Sequence, residues 1–105
     1  MKLIAAFAKV TLKPGKKQKM IDFLKWDVEV SRNELATLRF DIFEDANDEN
    51  VIYWYEAYVD AAGFETHKRG EPVKKLLDGG LWDECIDSVE DAMPNMSKAV
   101  CTIAK

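Results

Sequence analysis

Residues 38–77, LRFDIFEDANDENVIYWYEAYVDAAGFETHKRGEPVKKLL, have the clearest pattern of secondary structure in this chain. Its first part, LRFDIFED, alternates between an apolar face and a mixed face, and this period of two is typical of a strand between two environments. ANDEN then has the composition of a turn, and VIYWYEAYV is rich in the β-branched and aromatic residues that favour strands. The sequence therefore predicts an antiparallel hairpin with strands at Thr37–Glu44 and Val51–Val59.

Two helices should follow the hairpin. An aspartate that can serve as N-cap precedes Ala61–Lys68, which contains His67, the one histidine of the sequence. A further helix can begin at Glu71, because the proline after it is tolerated in the first helical turn. We predict that this helix runs towards Met93 and that Gly79–Gly80 loosens or breaks it.

The segments on either side complete the pattern. Leu3–Leu12 alternates as a strand, Gln18–Leu35 has apolar residues at helical spacing, and Ser97–Ala104 alternates again. The order is strand, helix, strand and then strand, helices, strand. This order predicts one α+β domain over residues 1–105 with the ferredoxin-like split βαβ fold, in which helices cover one face of a four-stranded antiparallel sheet.

Two strands of this predicted sheet are apolar on both faces. Leu3–Leu12 and Val51–Val59 have apolar or aromatic residues at nearly every position. Such a sheet should not stay alone in water, because large exposed apolar patches mark interfaces. We therefore expect a homodimer in which two sheets pack together, and the alternation leaves open which face forms the interface.

Composition and charge exclude several classes of function. The net charge of −4, without a basic stripe, argues against nucleic acid as a partner. No apolar run approaches the roughly 20 residues that span a membrane. Lys9 interrupts the apolar N-terminal run and no cleavage site follows, so we predict a strand there and a cytoplasmic protein.

Cys85 and Cys101 are far apart and are interpreted as reduced thiols. With one histidine and no nucleotide-binding motif, we expect neither a metal nor any other cofactor.

Three segments of the chain resemble parts of a known family. They are VTLKPGK at Val10–Lys16, LRFDIFED at Leu38–Asp45 and YWYEAYVDAAGFETHKRGEPVKK at Tyr53–Lys75. Their order and spacing are similar to those of the antibiotic biosynthesis monooxygenase family, a group of small dimeric α+β barrel proteins. They also resemble its relatives, the quinol monooxygenases and the isomerases of a phosphorylated autoinducer sugar. One departure concerns the turn before the second strand, where the family usually has Glu-x-Gly and this chain has Glu34 followed by Leu35 and Ala36.

The resemblance implies a cofactor-independent monooxygenase that acts on a quinol or hydroxylated aromatic substrate with dioxygen. Such a substrate can pass an electron to dioxygen once it is deprotonated, so the protein needs a dry aromatic pocket and a group that moves a proton. His67 is the candidate catalytic residue, because imidazole exchanges protons near neutral pH. The candidate substrate-binding residues are one arginine and four aromatic residues: Arg39, Trp54, Tyr55, Tyr58 and Phe64.

Each candidate also has a purely structural interpretation. His67 is then a surface or capping histidine at a helix end, and the aromatic residues belong to the core or to the dimer interface. Arg39, Asp41 and Glu56 are then members of one ionic network across the strands. Trp82, at helical spacing, is interpreted as a packing residue.

Two other functions stay open beside the monooxygenase. One is an isomerase of a phosphorylated autoinducer sugar, for which a phosphate pocket should have more cations than Arg39, Lys68 and Arg69. The other is a non-catalytic dimer that binds a small molecule, which is favoured if no pocket lies beside His67. A pocket of small-ligand size beside His67 is therefore the observation that bears most on function.

Overall fold

The computed structural model describes residues 3–91, which form four strands and four helices. In chain order these are β1 (Ile4–Leu12), α1 (Lys17–Arg32), β2 (Thr37–Glu44), β3 (Val51–Tyr58), α2 (Ala61–Lys68), α3 (Glu71–Leu77), α4 (Leu81–Cys85) and β4 (Ile86–Asp91). The predicted hairpin and the predicted helix that contains His67 are confirmed. None of the helices within residues 3–91 combines the length and the apolar character needed to cross a membrane.

The strands form one antiparallel sheet with the order β2-β3-β1-β4. β1 therefore lies between β3 and β4, while α1 links β1 to β2 and the short helices link β3 to β4. This connectivity is the ferredoxin-like split βαβ arrangement, so the predicted α+β fold class is confirmed.

The helices pack on one face of the sheet. On this face Val10 of β1 and Ile52 of β3 are fully buried against Met20 and Leu24 of α1. Cys85 belongs to the same core and is a free thiol, which agrees with the prediction for this cysteine. Burial of each large apolar side chain is worth about 1.5–3 kcal/mol, so this face holds α1 on the sheet.

The opposite face of the sheet, which we call the open face, has a cluster of aromatic rings. The ring centroid of Phe7 lies 5.8 Å from that of Tyr53, 5.8 Å from that of Tyr55 and 6.5 Å from that of Phe43. Edge-on and offset ring pairs of this kind are favourable. Within residues 3–91 nothing covers Phe43, which keeps 49% of its surface exposed. The apolar surface predicted from the doubly apolar strands is therefore on the open face.

The predicted continuation of the third helix towards Met93 is wrong. α3 ends at Leu77, and Gly80 adopts a left-handed conformation with φ of 78° that breaks the helix. After the short α4, Ile86–Asp91 is a strand, because its pairing satisfies backbone groups along the outer edge of β1. The predicted strand at Ser97–Ala104 and Cys101 lie outside the described residues. That residues 1–105 form a single domain stays a prediction.

The predicted end of the first long helix at Leu35 is also wrong. α1 ends at Arg32, and the Leu35 side chain is fully exposed, at 102%. The chain turns here to enter β2, with the Glu34 N–H donating to the Ser31 carbonyl and the Thr37 N–H donating to the Glu34 carbonyl. This turn takes Leu35 off the apolar stripe of α1.

A close contact joins α2 to this turn. Gly63 of α2 lies against Ala36, and a Cβ atom at position 63 would be only 2.5 Å from the Cβ atom of Ala36. The Val59 N–H donates to the Ala36 carbonyl at 2.9 Å, which fixes the backbone of the turn against the end of β3. The glycine at position 63 therefore makes room for an alanine where the resembled family usually has glycine.

Replacing Gly63 with alanine should lower the free energy of unfolding by about 1–3 kcal/mol, the range for overpacking a close-packed site. Helix propensity alone predicts the opposite sign, because alanine is better than glycine in a helix by about 1 kcal/mol. Urea unfolding of Gly63→Ala, Ala36→Gly and the double variant measures the effect. The double variant should recover most of the loss, since glycine at position 36 removes the methyl group. Equal losses in Gly63→Ala and the double variant would contradict the contact.

Candidate functional site

A cavity of about 360 Å³ lies between the sheet and the helices, beside His67. Its walls are largely apolar and come from α1, β2, β3 and all three short helices. The lining residues are Leu24, Asp27, Phe40, Trp54, Glu56, Phe64, His67, Lys68, Val73, Leu76, Leu77 and Trp82. Ligand pockets typically measure about 300–1,000 Å³ and have a few polar groups in an apolar wall, and this cavity fits that description.

A larger groove of about 680 Å³ runs along the outer edge of β2 beside α1. The polar part of its lining consists of charged side chains at the surface, among them Lys25, Glu29 and Arg32. Among its described lining residues there is neither His67 nor a buried polar side chain. The groove is larger, but the buried polar groups in the wall of the smaller cavity favour that cavity as the functional site.

The short helix α2 positions His67 in this cavity. Asp60 caps the helix, because its side chain accepts a hydrogen bond of 2.8 Å from the Gly63 N–H. His67 lies on the inward side of the helix and is only 3% exposed. Interpretation of His67 as a surface histidine is therefore wrong.

Two carboxylates flank the two nitrogen atoms of the His67 ring. Nδ1 lies 3.0 Å from Oε1 of Glu34, which belongs to the turn between α1 and β2. Nε2 lies 3.5 Å from Oε1 of Glu56, which belongs to β3. Glu56 lines the cavity and Glu34 does not, so the Nε2 side of the ring is the one next to the cavity. Because the Glu34 carboxylate is an acceptor, it favours the neutral tautomer with the proton on Nδ1 and the lone pair on Nε2.

Tyr58 contacts both Glu56 and His67. Its hydroxyl donates to Oε1 of Glu56 at 2.7 Å, and its ring centroid lies 5.4 Å from that of His67. Burial, together with the Glu56 carboxylate, raises the pKa of the Tyr58 hydroxyl far above its ordinary value. Tyr58 is therefore a permanent hydrogen-bond donor that holds Glu56 in position. Phe40 contacts the His67 ring as well, with the two centroids 5.5 Å apart.

Asp27 is a second acid in the cavity wall. It projects from α1, is only 5% exposed, and accepts a hydrogen bond of 2.8 Å from the Ser31 hydroxyl one turn later. Burial raises the pKa of the Asp27 carboxyl, and the hydrogen bond from Ser31 opposes that change. The cavity thus has two carboxyl groups and an imidazole among apolar walls.

Aromatic rings form much of the rest of the cavity wall. The Trp54 ring of β3 contacts the Trp82 ring of α4, with centroids 6.3 Å apart. Phe64 of α2 packs on Tyr58 at 5.2 Å, and the Lys68 ammonium lies 4.6 Å from the centroid of the Phe64 ring. Rings of this kind can hold a flat aromatic ligand and keep water away from it.

The structure brings together some of the residues proposed from the sequence and separates others. Trp54, Phe64 and His67 line the cavity, and Tyr58 lies directly behind it. Arg39 and Tyr55 lie on the open face, on the other side of the sheet from His67. We therefore leave these two residues out of the site, and a substrate-binding role for them stays untested.

The interpretation of Arg39, Asp41 and Glu56 as one ionic network is wrong. Arg39 pairs with Asp41 of its own strand at 2.8 Å on the open face. Glu56 projects from the opposite face towards His67, because the side chains of a strand alternate between the faces.

Sequence reasoning missed Asp27, Glu34 and Trp82 as members of the site. Asp27 had a usable signal, since it interrupts the apolar stripe of α1 at a position that must face the core. Glu34 had none, because its contact with His67 joins residues that are 33 positions apart. Within residues 3–91 no group of three or more histidine, cysteine or acidic side chains is arranged to hold a metal ion.

Comparisons with known proteins agree with this fold. The sequence profile of the antibiotic biosynthesis monooxygenase family matches residues 3–78. The structure is similar to protein PA3566 from Pseudomonas aeruginosa, with a TM-score of 0.78 and 24% identity over 87% of this chain and 90% of that chain. It is also similar to a Bacteroides thetaiotaomicron protein provisionally named an antibiotic biosynthesis monooxygenase, with a TM-score of 0.77 and 22% identity over 96% of this chain and 97% of that one. No curated protein matches the sequence significantly.

Proposed function

Because this chain belongs to the antibiotic biosynthesis monooxygenase family, we propose that it is a monooxygenase that oxidises a quinol or hydroxylated aromatic molecule with dioxygen and without a bound cofactor. The observation that carries the proposal is His67, buried in the wall of an apolar cavity and held between Glu34 and Glu56. The proposed catalytic residue is His67, and Trp54 and Phe64 are proposed to bind the substrate.

The first step of the proposed reaction is a proton transfer. A phenolic hydroxyl of the substrate donates its proton to Nε2 of His67, the nitrogen next to the cavity. The imidazolium that forms lies 3.0 Å from one carboxylate and 3.5 Å from another, and both stabilise its charge. Glu34 thus acts through His67 as a positioning residue.

The second step is electron transfer from the deprotonated substrate to dioxygen, followed by bond formation between oxygen and the ring. The O–O bond and the C–H bond or bonds at the oxidised carbon break, and one oxygen atom stays in the product as the carbonyl oxygen of a ring ketone or the hydroxyl oxygen of a quinone. The other leaves as water; its two hydrogens and the four electrons that reduce dioxygen come from the substrate. A flat substrate bound between the aromatic walls would itself help to cover the open side of the cavity, so that bulk water does not quench the reactive intermediate.

The size of the cavity limits the substrate. A cavity of about 150 Å³ in other proteins is large enough for benzene, so about 360 Å³ has room for one ring or two fused rings with small substituents. A homodimer formed through the open face is part of the proposal, since Phe7, Phe43, Tyr53 and Tyr55 offer an apolar patch for a second copy. A cytoplasmic location stays a prediction.

Oxygen uptake with a panel of one-ring and two-ring quinols tests the proposal. The purified protein, with no added flavin or metal, should consume oxygen faster than buffer with at least one quinol. Val73→Phe places a ring in the cavity wall and should reduce turnover of two-ring quinols by at least about tenfold, because a few missing contacts or a clash in a pocket are worth 1–3 kcal/mol.

Lys74→Phe is the matched control, because it adds the same ring one position later on the exposed side of α3. This variant should keep the activity of the original protein. Uptake at the buffer rate with every quinol would overturn the proposed function. Equal losses in Val73→Phe and Lys74→Phe would show that the reaction takes place elsewhere.

A further inference from the structure

We infer that the cavity beside His67 selects uncharged hydroxylated aromatic molecules and rejects those with an acidic group on the ring. The inference rests on the proposed function for the identity of the site, and it adds the charge of the substrate. Its basis is the balance of charged groups around the cavity.

Acidic groups outnumber basic groups at the inner end of the cavity. Asp27 and Glu56 line it, and Glu34 lies directly behind the His67 ring. All three are at least partly buried, so water screens their charges less than it would at the surface. An anion placed among them would be repelled, and like charges brought together at a desolvated site cost several kcal/mol.

The basic groups nearby are already paired. Any positive charge on His67 faces the carboxylates of Glu34 and Glu56. Lys68 is the permanently charged basic residue among the described lining residues. Its ammonium lies 2.8 Å from the Glu65 carboxylate and over the Phe64 ring. Its side chain is 46% exposed, which places the charge at the mouth of the cavity rather than inside it.

The other cations of this region do not line the cavity. Arg69 and Lys74 line an adjoining depression on the outer side of α2 and α3, which shares Lys68, Val73 and Leu77 with the cavity. Arg39 is paired with Asp41 on the open face. A carboxylate or phosphate attached directly to a ring inside the cavity therefore meets no free cation among residues 3–91.

Several of the polar atoms that line the cavity are acceptors. Carboxylate oxygens of Glu56 and the Nε2 lone pair of His67 need donors, and Asp27 adds further acceptor capacity when ionised. Phenolic hydroxyls supply donors without a negative charge. A neutral diol on an aromatic ring thus matches both the acceptors and the apolar walls, whereas a hydroxylated aromatic acid matches only the walls.

Two probes that differ in one charge test this inference. Methyl 2,5-dihydroxybenzoate and 2,5-dihydroxybenzoate have the same ring and hydroxyl groups, and only the second is an anion at neutral pH. Calorimetric titration under nitrogen measures binding without turnover. The ester should bind and the acid should bind on the order of 100-fold more weakly. Affinities within threefold of each other, tighter binding of the acid, or no binding of the ester would overturn the inference.

Isosteric neutral variants locate the source of the discrimination. Glu56→Gln should reduce the ratio of the two affinities by about tenfold, because it removes one negative charge from the wall. Asp27→Asn should reduce the ratio less, because burial raises the pKa of the Asp27 carboxyl. Glu29→Gln, an exposed acid on the same helix as Asp27, is the control and should leave the ratio unchanged. An unchanged ratio in both cavity variants would remove the carboxylates as its cause. Oxygen uptake is a separate readout: ester binding together with uptake at the buffer rate for every quinol of the panel would contradict the monooxygenase and leave the charge selection standing.

Discussion

Replacing His67 with alanine should lower turnover of a quinol substrate by about 10²–10⁴-fold, the usual contribution of general acid–base catalysis. The reason is the loss of Nε2, the one imidazole nitrogen placed at the cavity wall to take the phenolic proton. The measurement is oxygen uptake at saturating quinol. Thr66→Ala, an exposed neighbour on α2, should keep the original rate and serves as the matched control.

Loss of the side chain also leaves Glu56 without the His67 ring beside it, so part of any loss in activity could come from a disturbed fold. Imidazole added to the His67→Ala protein separates these effects. The space left by the ring should admit imidazole, and turnover should rise with its concentration if the missing group is a proton acceptor. Equal rates in His67→Ala and the original protein would remove His67 from the mechanism.

Replacing Phe43 with glutamate should raise the dissociation constant of the proposed homodimer by at least about 30-fold. Phe43 is 49% exposed on the open face, so burial of the rest of its side chain contributes about 1 kcal/mol in each of two copies, and a buried carboxylate weakens the contact further. Sedimentation at micromolar concentration should show a species near the 12.0 kDa of the single chain.

The control for this variant is Leu35→Glu, which makes the same change at an exposed leucine of the turn before β2. It should leave the dimer intact. If the unmodified protein sediments as a monomer, the proposed dimer is contradicted. If Leu35→Glu dissociates the dimer and Phe43→Glu does not, the interface lies elsewhere. Ile52→Asp is unsuitable as a test, because Ile52 has no exposed surface and faces the helices. An aspartate there would unfold the chain.

The sequence was sufficient to predict those parts of the fold that depend on local pattern. The alternation of β2 and β3 and the aspartate cap of α2 are properties of neighbouring residues, and the structure has each of them. β4 could not be predicted in this way, because IDSVED has little strand pattern and becomes a strand by pairing with β1. Tertiary pairing overrides weak local preference in such segments.

The candidate site also contains some residues that the sequence could predict and others that it could not. His67, Trp54 and Phe64 were proposed from residue type and resemblance, and they line one cavity. The partners that define the electrostatics of the site could not be derived from neighbours along the chain. Glu34 reaches His67 across 33 positions, and Glu56 faces His67 because the alternation of side chains along β3 puts Glu56 on the face of the sheet that the helices cover.

The contact between Gly63 and Ala36 has a consequence for the order in which this sequence could have diversified. If an ancestor had glycine at position 36, alanine there becomes tolerable only when position 63 is already glycine, because the two Cβ atoms would stand 2.5 Å apart. The reverse order passes through a clash between α2 and the turn that holds Glu34. Gly63 is therefore a permissive residue, and transplanting the turn of this protein into a relative with a larger residue at that position should fail unless both positions are moved together.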